Sequence, residues 1–255
     1  MSALNFYHQG HRAIILQDAA CYDEDGVLLS LGPKHVVVSE ANVVVTCTGM
    51  ANAPQIMATI IRRGFRDIDD FADRGEAFFA EHWSDLQRTI DELGSGRLCA
   101  MVVGWSKRDR RPKSVHFTNR EGEPSFIVDL AWLHHPKLRS GAKASLLRQI
   151  GEPTREEFDP VQHGIALMEV QRRQPSDGMD EGKSGRLLIG GHVMLITVDR
   201  HGITDRILKR WDDRVGETIE PGPLPATSAG IVVAMPAVNR RERRRQDALR
   251  RGAVA

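Results

Sequence analysis

Cysteine is scarce in this chain of 255 residues, and what there is does not pair: Cys21, Cys47 and Cys99 are odd in number and far apart. No two form a CxxC, so neither a disulfide framework nor a cysteine zinc site is implied. Free thiols fit a reducing compartment, and a cytoplasmic protein is the expectation. No apolar run approaches the eighteen or more residues that span a bilayer, which excludes a helical membrane anchor from the expected partners. Met1–Tyr7 lacks a basic start followed by a long apolar stretch, the pattern of a signal peptide. Internal repeats are absent, as are the GxGxxG and GxxxxGK[ST] phosphate loops. A large excess of charge of one sign is also missing from most of the chain. Residues 239–251 carry +5, which leaves the rest at −4 within a net charge of +1. The body is therefore not a basic nucleic-acid surface. The Arg-rich tail reads either as a contact for an acidic partner or nucleic acid, or as a solvated terminus.

What is present is an order of short strands and helices. Leu4–Tyr7, Ala13–Gln17, Val27–Leu31, Lys34–Ser39 and Val43–Cys47 are strand-length runs separated by turn residues: His8–His11, Asp23-Glu24-Asp25-Gly26, Gly32-Pro33 and Ala41-Asn42. The period then changes. Ala53–Arg62 sets Ile56 and Ile60, and Met57 and Ile61, at helical spacing, with Pro54 in the first turn. Ile68–Leu93 continues the pattern with Phe71, Phe78, Phe79, Leu86, Ile90 and Leu93 on one face, interrupted by Gly75 and stopped by Gly94-Ser95-Gly96. Strands return at Leu98–Trp105, Ser114–Thr118 and Pro124–Leu130, with a hairpin turn at Asn119–Gly122. Leu133–Pro153 fits no pattern. Asp159-Pro160 opens a helix over Val161–Arg173. Residues 174–185 read as a loop, and His192–Asp199 and Ile203–Leu208 as a closing hairpin. Residues 221–225 are Pro/Gly-rich, and Ile231–Met235 is a last apolar run before the tail. Two sheets with helices outside them would bury all these faces. The expected division is a domain over residues 1–214 and an extension over 215–255.

Three polar residues stand in register. Asp18 lies sixteen residues after Ser2, and Lys34 sixteen after Asp18. ILQDAACY, GPKHVVV, VVVTCTGMANA and GGHVMLITVDRHG surround them. In these features the chain resembles the proteasome β-subunit family, including its bacterial HslV and Anbu relatives. The likeness covers residues 2–80 in spacing and 158–212 in outline. It implies an α+β fold, a four-layer αββα sandwich of two mainly antiparallel sheets, the N-terminal-nucleophile hydrolase fold.

The resemblance also implies chemistry. Ser2, exposed by removal of Met1, would be the nucleophile, with its own α-amine as base. A free α-amine titrates near 7.7–8.0 and so has a neutral fraction at working pH. Lys34 would favour that neutral amine, and Asp18 would hold Lys34. The Gly49 N–H would meet the oxyanion, a donor worth about 10²–10³ in rate. An extended peptide or protein substrate would pair beside Ala20 and Tyr22. No cofactor or metal is implied, and the family's rings imply a homo-oligomer. The pattern also departs from the family. Arg186 and Ile189 stand where active members carry an Asp and a Ser before the Gly-Gly, and the Ser before the third helix is matched only loosely by Ser140 or Ser145. Ser in place of Thr removes the methyl that fixes the nucleophile's rotamer. The alternative reading is therefore an inactive scaffold or assembly subunit. His134-His135 as metal ligands, His163 and His192, Ser114 with His116, and Trp105, Trp132 and Trp211 read as structural residues.

Overall fold

A computed structural model describes residues 2–92, 98–119, 125–176 and 185–222; for Ile90 and Ser125 it describes the backbone alone. Met1, the Gly94-Ser95-Gly96 stop, most of the Asn119–Gly122 turn, residues 177–184, most of the Pro/Gly-rich run, Ile231–Met235 and the Arg-rich tail lie outside the described residues.

The β-branched and aliphatic runs form the expected strands β1 (Leu4–Gln9), β2 (Arg12–Gln17), β4 (Leu28–Leu31), β5 (His35–Val38) and β6 (Val43–Gly49), and a short strand not expected from the sequence, β3 (Ala20–Tyr22), lies between β2 and β4. His8 and Gln9 belong to β1, so the first turn narrows to Gly10-His11. Helices α1 (Ala53–Gly64) and α2 (Ile68–Glu92) follow. Gly75 does not break α2. A Cβ there would lie 2.5 Å from Phe126 Cζ, so the glycine lets that ring press onto the helix. Next come β7 (Leu98–Ser106), β8 (Arg111–Thr118) and β9 (Ser125–Val128). The stretch without a sequence pattern holds β10 (Trp132–His135), a cis peptide at His135–Pro136, and α3 (Ser140–Ile150). Helix α4 (Gln162–Arg172) is opened by Asp159, whose Oδ1 accepts the amides of Val161 and Gln162 at 2.7 and 2.8 Å. Strands β11 (His192–Asp199) and β12 (Gly202–Arg210) close the order.

The fold is mixed α+β with antiparallel pairing. One five-stranded sheet has the order β10-β1-β2-β11-β12, a second has β5-β6-β7-β8-β9, and β3-β4 form a two-stranded ribbon. Alternation along the strands sorts the core into layers. Val43, Val45, Ala100 and Val102 meet Met57, Ile61 and Phe71 of α1 and α2. Ile14, Leu16, Val193 and Leu195 meet Leu146 of α3 and Leu167 of α4. Leu4, Phe6, Ile15, Met194 and Ile196 meet Val44, Met101 and Val103, sheet against sheet. This layering is compatible with a sandwich. Burial of each large side chain, such as fully buried Phe6, Phe71 and Phe117, contributes roughly 1.5–3 kcal/mol.

The packed chain continues past residue 214. Leu28 N–H donates to the Glu217 carbonyl at 2.9 Å, Gly216 N–H to the Leu28 carbonyl at 2.8 Å, and Ile219 is buried against Ala20 and Leu28. Among the described residues, no helix is long and apolar enough to cross a membrane.

Candidate active site

The β1–β2 pairing sets Leu4 opposite Gln17, so the residues just outside the ladder, Ala3 and Asp18, also face each other. The Ala3 amide donates to Asp18 Oδ1 at 2.9 Å. Ser2 lies one residue further out, of the same parity as Leu4 and Phe6, whose side chains enter the space between the sheets. Lys34 comes from the other sheet. It precedes β5, and its carbonyl accepts the Cys47 amide of β6 at 3.2 Å. The two sheets thus deliver Ser2, Asp18 and Lys34 to one end of the intersheet layer. Lys34 Nζ donates to Ser2 Oγ at 2.9 Å and to both Asp18 oxygens at 2.9 Å.

All three are buried: Ser2 is 7% exposed, Asp18 1% and Lys34 8%. A buried ion pair survives desolvation only when its remaining hydrogen-bonding capacity is met. Asp18 meets that condition. Besides Lys34 and Ala3, its Oδ2 accepts the amides of Ala20 at 3.2 Å and Gly190 at 3.3 Å. Lys34 gains a hydroxyl as well as a carboxylate. The arrangement fixes an ammonium against a serine oxygen in a space screened from water, where its charge acts more strongly than in bulk solvent.

Gly49 ends β6, two residues beyond Cys47, with φ of 110°, a conformation glycine adopts without steric cost. Ala20 and Tyr22 lie on β3, paired with Leu31 and Leu28 of β4. The Ala20 N–H is already engaged by Asp18, so a peptide approaching this residue would meet its amide in use.

The positions that depart from the family pattern contribute no polar group here. Arg186 turns outward, donating to the Glu24 carbonyl at 2.9 Å and to Asp25 Oδ1 at 3.4 Å. Ile189 is buried in the apolar cluster under α4. Ser140 is exposed at the start of α3, and Ser145 is half-buried within it.

Support for the site comes instead from the Gly-Gly before β11 and from residues without a recognisable spacing. Gly190 N–H holds Asp18, while its carbonyl accepts Ala19 N–H at 3.0 Å. Gly191 N–H donates to Asp213 Oδ2 at 2.7 Å. Arg172 completes the brace: Nη1 donates to the Ile189 carbonyl at 2.9 Å and to Asp213 Oδ2 at 2.7 Å, and the guanidinium lies 4.6 Å over the Trp211 ring. A Cβ on Gly190 would stand 2.7 Å from Asp213 Oδ2, so only glycine allows this closeness. Trp211 therefore has a polar role too, donating from Nε1 to Glu169 Oε1 at 2.7 Å. Beside the site, between the sheets, Thr46 hydrogen-bonds Gln17, and Gln17 Nε2 meets His35 Nδ1 at 2.9 Å.

The remaining candidates occupy structural positions. His134 Nε2 meets the Tyr7 hydroxyl at 2.6 Å, and burial pushes its pKa down to about 4. His163 Nδ1 accepts the Asp159 amide at 3.0 Å. Ser114 donates to the Leu130 carbonyl at 3.4 Å, and His116 meets Cys99 Sγ at 3.2 Å. Among the described residues, no group of three or more His, Cys, Asp or Glu side chains is placed to hold a metal ion. No protein-family model matches the chain, and no curated protein matches it.

Proposed function

We propose that this chain is a proteasome-like N-terminal-nucleophile peptidase built on a four-layer αββα sandwich, hydrolysing peptide bonds with Ser2 as nucleophile. The observation that carries the reading is the 2.9 Å contact of Lys34 Nζ with Ser2 Oγ, made while the same ammonium bridges both oxygens of Asp18. A purely structural ion pair has no need of a third partner that is a nucleophile.

In this reading, removal of Met1 frees the Ser2 amine. That amine takes the hydroxyl proton as Oγ bonds to the substrate carbonyl carbon, and the carbonyl π pair moves onto oxygen. The Gly49 N–H receives the oxyanion. Collapse expels the amine half of the substrate, which takes the proton from the Ser2 ammonium. Water then hydrolyses the ester. Lys34 lowers the energy of the developing alkoxide, and Asp18 keeps Lys34 aimed. The substrate runs beside Ala20 and Tyr22 as an added strand, pairing through backbone groups other than the Ala20 amide, which Asp18 holds. A cytoplasmic homo-oligomeric ring, with the Arg-rich tail on an acidic partner, completes the proposal.

A second reading has its own observation. Arg186 bonds to the Glu24–Asp25 turn and Ile189 is buried in apolar surroundings, where active relatives carry Asp and Ser. This favours a non-catalytic scaffold or assembly subunit. The two separate by intact mass and covalent labelling with a probe for N-terminal hydroxyl nucleophiles. Labelling of the Met-free wild type and not of Ser2→Ala supports the peptidase. A Met-free, folded chain that takes no label supports the scaffold.

A further inference from the structure

One buried titratable group beside the site has no task in the mechanism above. His192 opens β11, directly after Gly190-Gly191, and is 7% exposed. Its Nε2 is buried with no hydrogen-bond partner among the described residues. A buried ring nitrogen left unpaired keeps its full desolvation penalty, so such atoms in native proteins are nearly always met, by protein or by a bound water.

The register says where this nitrogen faces. Met194 pairs with Gln17, which carries β11 past Asp18 and Ala19 by the time it reaches His192. His192 shares its face of β11 with Met194, Ile196 and Val198, which all enter the intersheet layer. Ser2 and the Lys34 ammonium open onto the same layer at the same end. Four charged or titratable groups act electrostatically on the ring: Arg210 from β12, Asp18 from the end of β2, and Lys34 and His35 at β5. Burial above all, then the Arg210, Lys34 and His35 charges, hold the imidazole below its ordinary pKa against the opposing pull of Asp18. These influences favour the neutral ring, and a neutral imidazole nitrogen buried at the same end of the intersheet layer as Lys34 and Ser2 is a natural seat for water.

We propose that His192 is a positioning residue: its Nε2 holds a water against the Ser2–Lys34 pair, and that water passes the proton from Ser2 Oγ to the Ser2 amine. The water gives one proton to the amine as it takes the hydroxyl's, so it leaves the step unchanged. The O–H bond breaks, an N–H bond forms, and Oγ bonds to the substrate carbonyl carbon. The role is the one left open by Arg186 and Ile189, which supply no hydroxyl or carboxylate at the amine. The relay rests on the peptidase reading; the water rests on the geometry of His192 alone.

Two measurements decide it. A high-resolution crystal structure of the Met-free protein should show a water on His192 Nε2 that also contacts Ser2 or Lys34. A ring nitrogen bonded to a protein group instead, or to a water out of reach of both residues, overturns the assignment. The rate of Ser2 acylation by a peptide epoxyketone is then followed against pH in wild type, His192→Gln and His192→Phe, with melting temperatures to establish folding. Loss of a positioned proton relay is expected to slow His192→Phe by about 10²-fold and to change its pH profile. His192→Gln, which can still hold a water, should recover part of that loss. Equal rates and superimposable profiles in all three overturn the relay while leaving the peptidase reading intact. A wild type that is Met-free and never acylated overturns the peptidase reading and the relay together; the water is then judged on the crystal structure alone.

Discussion

Lys34 Nζ stands 2.9 Å from Ser2 Oγ although the two residues come from different sheets and are separated by 32 positions in the chain. The contact depends on Asp18, which ties the start of β1, the turn after β2 and the Gly190 amide to the same ammonium. Chemistry and stability are therefore coupled at this point, and variants here must be read on both scales.

Lys34→Met is expected to abolish acylation of Ser2 and to lower stability by about 3 kcal/mol, because it leaves the Asp18 carboxylate buried without its cation. The three backbone amides that remain on Asp18 should keep the variant folded. Adding Asp18→Asn should restore much of the stability and none of the activity. Urea denaturation alongside probe labelling checks both; full activity in Lys34→Met would remove the ammonium from the mechanism.

Asp213→Ala tests the brace behind the site. It strands Arg172, whose side chain is 4% exposed, and frees the Gly191 amide. A loss of about 3 kcal/mol is expected from the unpaired buried charge. Acylation should slow as well, because the Gly190–Gly191 backbone that holds Asp18 loses its anchor. A change confined to stability, with an unaltered labelling rate in the folded variant, would separate the brace from the site.

Gly75→Ala should destabilise by about 1–3 kcal/mol although alanine is the better helix former, because its methyl would collide with the Phe126 ring. In a Phe126→Leu background the same change should cost less. Additive effects in that double-mutant cycle would contradict the packing explanation.

The Tyr7–His134 pair predicts a dependence on pH. Burial holds His134 near a pKa of about 4 in the folded chain, below its ordinary 6.5. The unfolded chain binds the extra proton first, so stability falls as pH is lowered from 6.5 toward about 4. Tyr7, its hydroxyl pushed upward by burial, stays neutral throughout this window. Thermal melts of wild type and His134→Gln across that range should show the acid-side loss shrinking in the variant.

The strands and helices with a clear period were legible in the sequence, whereas the grouping of Ser2, Asp18 and Lys34 was expected only from the family resemblance. In a strand, side chains alternate, and a residue number translates directly into a face. Other features had no such translation. The stretch from Leu133 to Pro153 hides β10 and α3 because edge strand Trp132–His135 pairs, among the described residues, with β1 alone and α3 buries chiefly Leu146, which leaves no apolar rhythm. Gly75 reads as a break until Phe126 is seen filling the space its missing side chain leaves. Asp213 reaches Gly191 across 22 residues, and Arg172 meets Asp213 across 41, with no local pattern to announce either. In the sequence His192 reads as a core or surface histidine; what marks it out is its buried Nε2, which has no hydrogen-bond partner among the described residues.

Peptide mapping of the protein after reaction with a peptide epoxyketone asks whether Ser2 is the nucleophile, because that probe closes a ring only on a hydroxyl and a free α-amine of the same residue. A peptidase of this kind gives a single adduct on Ser2, spanning its oxygen and nitrogen, with Met1 gone and no adduct in Ser2→Ala. A Met-free, folded protein that stays unmodified at saturating probe, or an adduct that survives Ser2→Ala, would contradict the peptidase reading.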